Sequence, residues 1–77
     1  MAIKNKQFRN LLDRSDFVKT CGMMSLNIDD GSYYLNVLYD YSNDVFVDFE
    51  IDSGDKEIAT DKQLEITREF FKNRIND

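Results

Sequence analysis

From Met24 to Ile51 an apolar residue stands at every second position of three runs, which are separated where turn-forming residues cluster; Tyr34, Leu38 and Phe46 are apolar residues off that alternation. Met24, Leu26 and Ile28 form one run; Tyr33, Leu35, Val37 and Tyr39 a second; Val45, Val47, Phe49 and Ile51 a third. A period of two places all of these side chains on one face of a pleated sheet, an arrangement no helix reproduces. Asp30-Gly31 predicts a two-residue type I′ turn, because both central positions of that turn need positive φ. Such a turn sets Ile28 opposite Tyr33, Leu26 opposite Leu35 and Met24 opposite Val37. Ser42-Asn43-Asp44, read as a three-residue loop, sets Tyr41 opposite Val45, Tyr39 opposite Val47, Val37 opposite Phe49 and Leu35 opposite Ile51. Each of these pairs sets apolar against apolar, as a well-chosen register requires.

The flanks of this region change period. Phe8, Leu11, Leu12 and Ser15 share a helical face that Val18 extends, whereas Phe17 points the other way. Either the helix breaks near Asp13–Asp16, with Ser15 or Asp16 capping a new turn, or Phe17 projects outward. Gly22 is the expected residue just past its end. At the other end Thr60 with Gln63 forms a capping-box pattern, followed by Leu64, Thr67, Phe71 and Ile75 on one face. Ile66 and Phe70 lie beside that stripe, either widening the buried face or forming a second, partner-facing one. Asp52-Ser53-Gly54-Asp55 reads as a turn, and Lys56–Ala59 as loop or a short fourth strand. The expected fold is α+β: one domain over 1–77, an α-β-β-β-α order, a three-stranded antiparallel meander (1-2-3), and both helices on one face.

Charge is as segregated as hydropathy. Residues 29–61 hold ten acids against one base, Lys56, for a net of −9, while residues 1–28 net +3 and the whole chain −5. A field of that sign attracts basic partners and repels nucleic acid and its phosphates. One cysteine, Cys21, allows no internal disulfide and fits a reducing compartment. No segment has the apolar length of a membrane span, and the first ten residues lack a signal-peptide pattern, so a cytoplasmic location is expected.

Several chemistries lack their residues. Without histidine there is no Ser-His or Cys-His pair and the commonest zinc ligand is missing. Asp48-Phe-Glu50-Ile-Asp52-Ser-Gly54 imitates the start of a calcium-binding EF-hand loop. Counted from Asp48, however, glycine falls at position seven rather than six, and Ala59 stands where glutamate belongs. No enzyme, metal site or cofactor is expected.

In element order and length the chain resembles the double-stranded-RNA-binding domain, whose second helix opens with a lysine cluster that grips phosphates. Here that helix opens Thr60-Asp61-Lys62-Gln63-Leu64-Glu65, so the resemblance stops at topology and direct nucleic-acid binding is not expected. The register leaves Met23, Ser25, Asn27, Tyr34, Asn36, Leu38, Asp40, Phe46, Asp48 and Glu50 on the outer sheet face. Candidate partner-binding residues are Tyr34, Leu38, Asp40, Asp44, Phe46, Asp48, Glu50, Asp52, Asp55 and Glu57, in which apolar anchors stand among carboxylates. In size, charge and element mix the chain is similar to small acidic phage inhibitors of the anti-CRISPR and anti-restriction kind. That likeness implies a nucleic-acid mimic that blocks a basic nucleic-acid-binding protein or nuclease. The alternative expectation is a homo-oligomeric accessory protein, a homodimer for instance, joined through the outer face or the edge of the strand beginning at Met23.

Overall fold

At Ser15 the backbone leaves the helical region (φ −72°, ψ 154°), and the serine hydroxyl donates to the Leu12 carbonyl at 2.6 Å. The first helix, α1 (Asn5–Arg14), therefore stops there, and the next residues continue as a strand, β1 (Asp16–Lys19). The computed structural model describes residues 3–75. Beyond β1 come β2 (Met23–Asp29), β3 (Tyr34–Asp40), β4 (Val45–Asp52), the two-residue β5 (Lys56–Glu57) and α2 (Asp61–Lys72). The sheet is antiparallel with order β1-β2-β3-β4-β5. The fold is thus α+β with helices at both ends of the chain, as expected, but with five strands instead of three. The two added strands also remove the likeness in element order to the RNA-binding domain.

Each departure has a local cause. Phe17 and Val18 alternate in and out like strand residues, which resolves the conflict of faces that a continuous helix would create. Phe17 pairs with Leu26 and packs on Phe70 and Phe71 at 6.4 and 6.2 Å between ring centroids. Gly22 ends no helix. It sits at φ +87° in the tight turn joining β1 to β2, where the Thr20 and Met23 backbones bond reciprocally, and a Cβ there would stand 3.4 Å from Ser42 Oγ. The Tyr41 hydroxyl fastens this turn, accepting from Gly22 N–H and donating to the Thr20 carbonyl.

The β2–β3 register is displaced by two residues from the expected one: Ile28 faces Leu35, Leu26 faces Val37 and Met24 faces Tyr39. Only Gly31 of the supposed type I′ pair has positive φ. Asp30 instead turns its carboxylate inward on the loop, accepting from the Ser32 and Tyr33 N–H groups at 2.9 and 2.7 Å. An Asx turn of this kind competes with the two-residue hairpin and lengthens the loop to four residues. A shift of two keeps every side chain on its face, so the core survives the error.

The β3–β4 pairing follows expectation from Leu35–Ile51 through Leu38–Asp48 and then slips by one at a bulge. Tyr39 pairs with Phe46 and Asp40 with Val45, so the expected Tyr39–Val47 and Tyr41–Val45 pairs do not form and Val47 is the extra residue. The bulge swaps faces beyond it. Phe46 turns inward to Tyr39 and Phe49, at 5.1 and 5.6 Å, while Val45 and Val47 are 51% and 57% exposed.

Both helices cover the inner face. Phe8, Leu11 and Leu12 of α1 and Ile66 and Phe71 of α2 join Met24, Leu26, Leu35, Val37, Tyr39 and Ile51 in one core. Ile66 thus belongs to a widened buried face, with Phe70 half-buried beside it, and the second-stripe alternative lapses. The capping box forms, and buried Gln63 also donates to the Ile3 carbonyl at 3.3 Å. That bond ties the start of α2 to the start of α1, and Phe17 sits at the far ends of both, so the two helices run side by side in one direction.

Candidate protein-binding surface

The face of the sheet opposite the helices is left uncovered. Pairing through the sheet fixes its residues in rows: Asp29, Tyr34, Asp52 and Lys56; Asp16, Asn27, Asn36 and Glu50; Val18, Ser25, Leu38 and Asp48; Met23, Asp40 and Val45. Six carboxylates share this face with a single base, Lys56. Asp48, Glu50 and Asp52 form a column along β4, spaced about 6.7 Å apart because alternate strand residues point the same way. Asn27 donates to Asn36 (3.3 Å), which donates to Asp48 (3.5 Å), a polar ladder leading into the column. Among the described residues none of Asp16, Asp29, Asp48, Glu50 and Asp52 has an ion-pair partner, because the ion pairs lie elsewhere, at Arg14–Asp30, Lys62–Glu65 and Arg68–Asp44. Tyr34, Leu38 and Met23 are half-buried between the carboxylates, and Val18, Val45 and Val47 add exposed apolar area. A shallow hollow of about 180 Å³ lies among Val18, Met23, Ser25 and Leu38.

Of the ten residues singled out from the sequence, Tyr34, Leu38, Asp40, Asp48, Glu50 and Asp52 come together here. Four do not. Phe46 packs on the core face, for the reason the bulge supplies. Asp44, at φ 56°, turns toward α2, where its carboxylate accepts from the Tyr39 hydroxyl and from Arg68 Nε at 3.0 Å. Asp55 lies in the β4–β5 turn, and Glu57 pairs with Ile51 and accepts from Ser53 Oγ at 2.6 Å, away from the outer face. Sequence reasoning missed Asp16, Val18 and Asp29. The first two were assigned to a helix, although the in-out alternation of Asp16, Phe17 and Val18 was the available signal. The edge of β2 offered for self-association is also unavailable, since β1 pairs along it. Open edges remain at β1 and along Val45–Glu50 of β4.

Some acids serve the fold. The Asn43 side chain and the N–H groups of Asn43 and Ser42 bond to Asp40 and hold its carboxyl below the usual range. The Tyr33 and Ser32 N–H groups do the same for Asp30, aided by Arg14, and the Tyr39 hydroxyl and Arg68 do so for Asp44. Burial, with Asp44 beside it, pushes Tyr39 up to about 12. A depressed carboxyl contributes stability that is present above its unfolded value and lost as pH falls through its folded one. Stability measured by urea unfolding should therefore hold down to about pH 4, the unfolded aspartate value, and decline below it. Replacing Asp30, Asp40 and Asp44 together by asparagine should flatten that decline. Tyr39 acts in the opposite sense: its contribution is complete below about pH 10 and disappears as pH rises toward 12.

A second concavity, about 330 Å³, runs between the helices over Leu12, Ile66 and Phe70. Its rim mixes Arg9 and Lys62 with Asp13, Glu65 and Glu69, so it favours neither sign of charge. Among the described residues no group of three or more Cys, Asp or Glu is placed to hold a metal ion, and no helix is long and apolar enough to cross a membrane. No protein-family model matches the chain, and no curated protein or solved structure matches it either.

Proposed function

We propose that this protein is a non-enzymatic inhibitor of the phage or mobile-element kind, acting in the cytoplasm by docking its outer sheet face on a basic nucleic-acid-binding protein or nuclease. One observation carries the reading: six carboxylates and one base on the sheet face that no helix covers. The β4 column offers negative charge at regular intervals, as a nucleic-acid strand does, and among the described residues no ion pair neutralises it. Tyr34 and Leu38 beside it supply apolar contact, which exposed charge alone does not, since exposed ion pairs contribute only about 0–1 kcal/mol each. Complementary potential accelerates encounter and makes it salt-sensitive.

The test is a tagged pull-down from a nuclease-treated bacterial lysate, eluted by a salt step. The expected result is a basic nucleic-acid-binding protein released by salt and competed off by nucleic acid. The variant Asp48→Asn, Glu50→Gln, Asp52→Asn should bind that protein at least about tenfold more weakly, a loss of 1.4 kcal/mol or more. Asp55→Asn, off the face, should bind as the parent does. Undiminished binding by the triple variant would end the proposal.

A further inference from the structure

β1 ends the sheet on one side, and among the described residues no strand pairs along its outer edge. The turn beside it fixes which backbone groups that edge offers. Thr20 and Met23 exchange N–H···O bonds across the turn, and bonded pairs alternate along an antiparallel ladder. Val18 with Ser25 and Asp16 with Asn27 are then the next bonded pairs. The N–H and C=O groups of Phe17 and Lys19 therefore point away from β2, to the open edge. Proline and a bulge, two devices that blunt such edges, are absent from β1. The Lys19 ammonium does not guard the edge either: it donates to the Ile75 carbonyl and lies 5.9 Å from the Tyr41 ring centre. Val18, between the two outward residues, is 54% exposed.

We infer that a second copy of this chain pairs its β1 antiparallel to this one, about a two-fold axis through Val18. Facing residues must lie on the same side of the joined sheet, and the bonded pairs must come from Phe17 and Lys19. Setting Lys19 on Lys19 opposes like charges. Setting Phe17 on Phe17 leaves Lys19 facing Ser15, whose N–H already bonds to the Leu12 carbonyl. Setting Phe17 on Lys19 uses the outward groups of both residues in both copies. Val18 then meets Val18 at the axis, as a non-bonded pair whose side chains stand closest, and Asp16 faces the Thr20 hydroxyl rather than another carboxylate. The two Phe17 residues become diagonal neighbours about 7–8 Å apart, within reach of aromatic rings, and link the Phe17–Phe70–Phe71 clusters of the two copies. β1 holds one acid and one base, so this edge is neutral where the sheet as a whole is acidic. The two β4 columns end up about 34 Å apart at the usual strand spacing, several Debye lengths at physiological salt, so their repulsion is screened. The contact joins the same surface of each copy and closes as a dimer. It leaves the β4 column open and stands apart from the choice of a foreign partner.

Sedimentation equilibrium of the full chain, from micromolar to millimolar concentration, and amide hydrogen exchange by NMR test it together. The parent should show a monomer–dimer equilibrium that persists at about 1 M salt, whereas salt releases a basic foreign partner. The Phe17 and Lys19 amides should exchange rapidly in dilute solution and at least about tenfold more slowly where the dimer prevails. The Val18 amide, bonded to β2 within one chain, should be protected at both concentrations. Val18→Lys puts a charge at the axis and should be monomeric, with a circular dichroism spectrum like the parent's because the position is exposed. The variant Asp48→Asn, Glu50→Gln, Asp52→Asn should dimerise as the parent does, so this inference and the inhibitor reading fail separately. A parent that stays monomeric throughout would overturn the inference. So would a dimer that Val18→Lys leaves intact, one whose added protection falls on Val45–Glu50 of β4, or a β4 triple variant that is monomeric.

Discussion

Phe71→Ala should remove a large part of this protein's stability. Phe71 is fully buried and stacks on Tyr39 with centroids 5.1 Å apart and planes 9° apart. It also touches Phe17 and Phe70, at 6.2 and 6.1 Å, so one ring joins α2 to β1 and β3. Truncating a buried phenylalanine costs about 3–5 kcal/mol, the lost transfer energy plus the cavity left behind. A chain of 77 residues has about 4–12 kcal/mol in all, at the usual stability per residue. The urea midpoint should therefore fall by at least about a quarter, and at the lower end of that range the variant should be unfolded in buffer. Phe71→Leu, which keeps most of the volume, should retain a cooperative transition. A loss below about 1 kcal/mol for the alanine variant would mean that the ring sits in a site able to collapse around it, contrary to the packing described.

Asp44→Ala should be the most damaging substitution at any acidic position. Asp44 occupies the left-handed region, where aspartate and asparagine are tolerated and alanine is strained. Its carboxylate receives the hydroxyl of the buried Tyr39 and the guanidinium of Arg68, which itself lies 5.8 Å from the Phe46 ring centre. Alanine adds backbone strain at a left-handed position to the loss of the acceptor of the Tyr39 hydroxyl, so its melting temperature should fall clearly below the parent's. Asp44→Asn keeps both the conformation and an acceptor oxygen, and its melting temperature should stay close to the parent's. Thermal unfolding of the two variants distinguishes these outcomes. If asparagine proved as costly as alanine, the charge on Arg68 rather than the turn and the hydroxyl would be the dominant partner. Because Asp44 faces α2, the asparagine variant should also bind a foreign partner as the parent does. That result would separate it from the β4 acids, with which its position in the sequence had grouped it.

What could be read from the chain alone was what depends on nearby residues. The capping box at Thr60 and Gln63 formed because both halves lie within one turn. The inner-face residues of β2, β3 and the inner half of β4 were legible because alternation specifies a face whatever the exact partner. The outer-face carboxylates Asp48 and Glu50 followed from the same parity. Partners across strands were less legible. Asp30-Gly31 is compatible with two turns, and the carboxylate of Asp30 selected the longer one through bonds to Ser32 and Tyr33. β1 is four residues long, too short for its period to outweigh the helical run before it.

The bulge was beyond local reading altogether. Val45, Phe46 and Val47 are all apolar, so either parity satisfies the hydrophobic pattern. The choice went to the one that packs Phe46 against Tyr39 and edge-on to Phe49, rings brought together only when β3, β4 and α2 are assembled. Periodicity and charge, being properties of residues a few places apart, determined the class of fold, the sides of its elements and the acidity of the sheet. Only the tertiary structure decided the register, the fifth strand and which acids have ion-pair partners and which, on the open face, have none among the described residues. Those depend on contacts between residues distant in sequence, where packing of large rings outweighs the preference of any single turn.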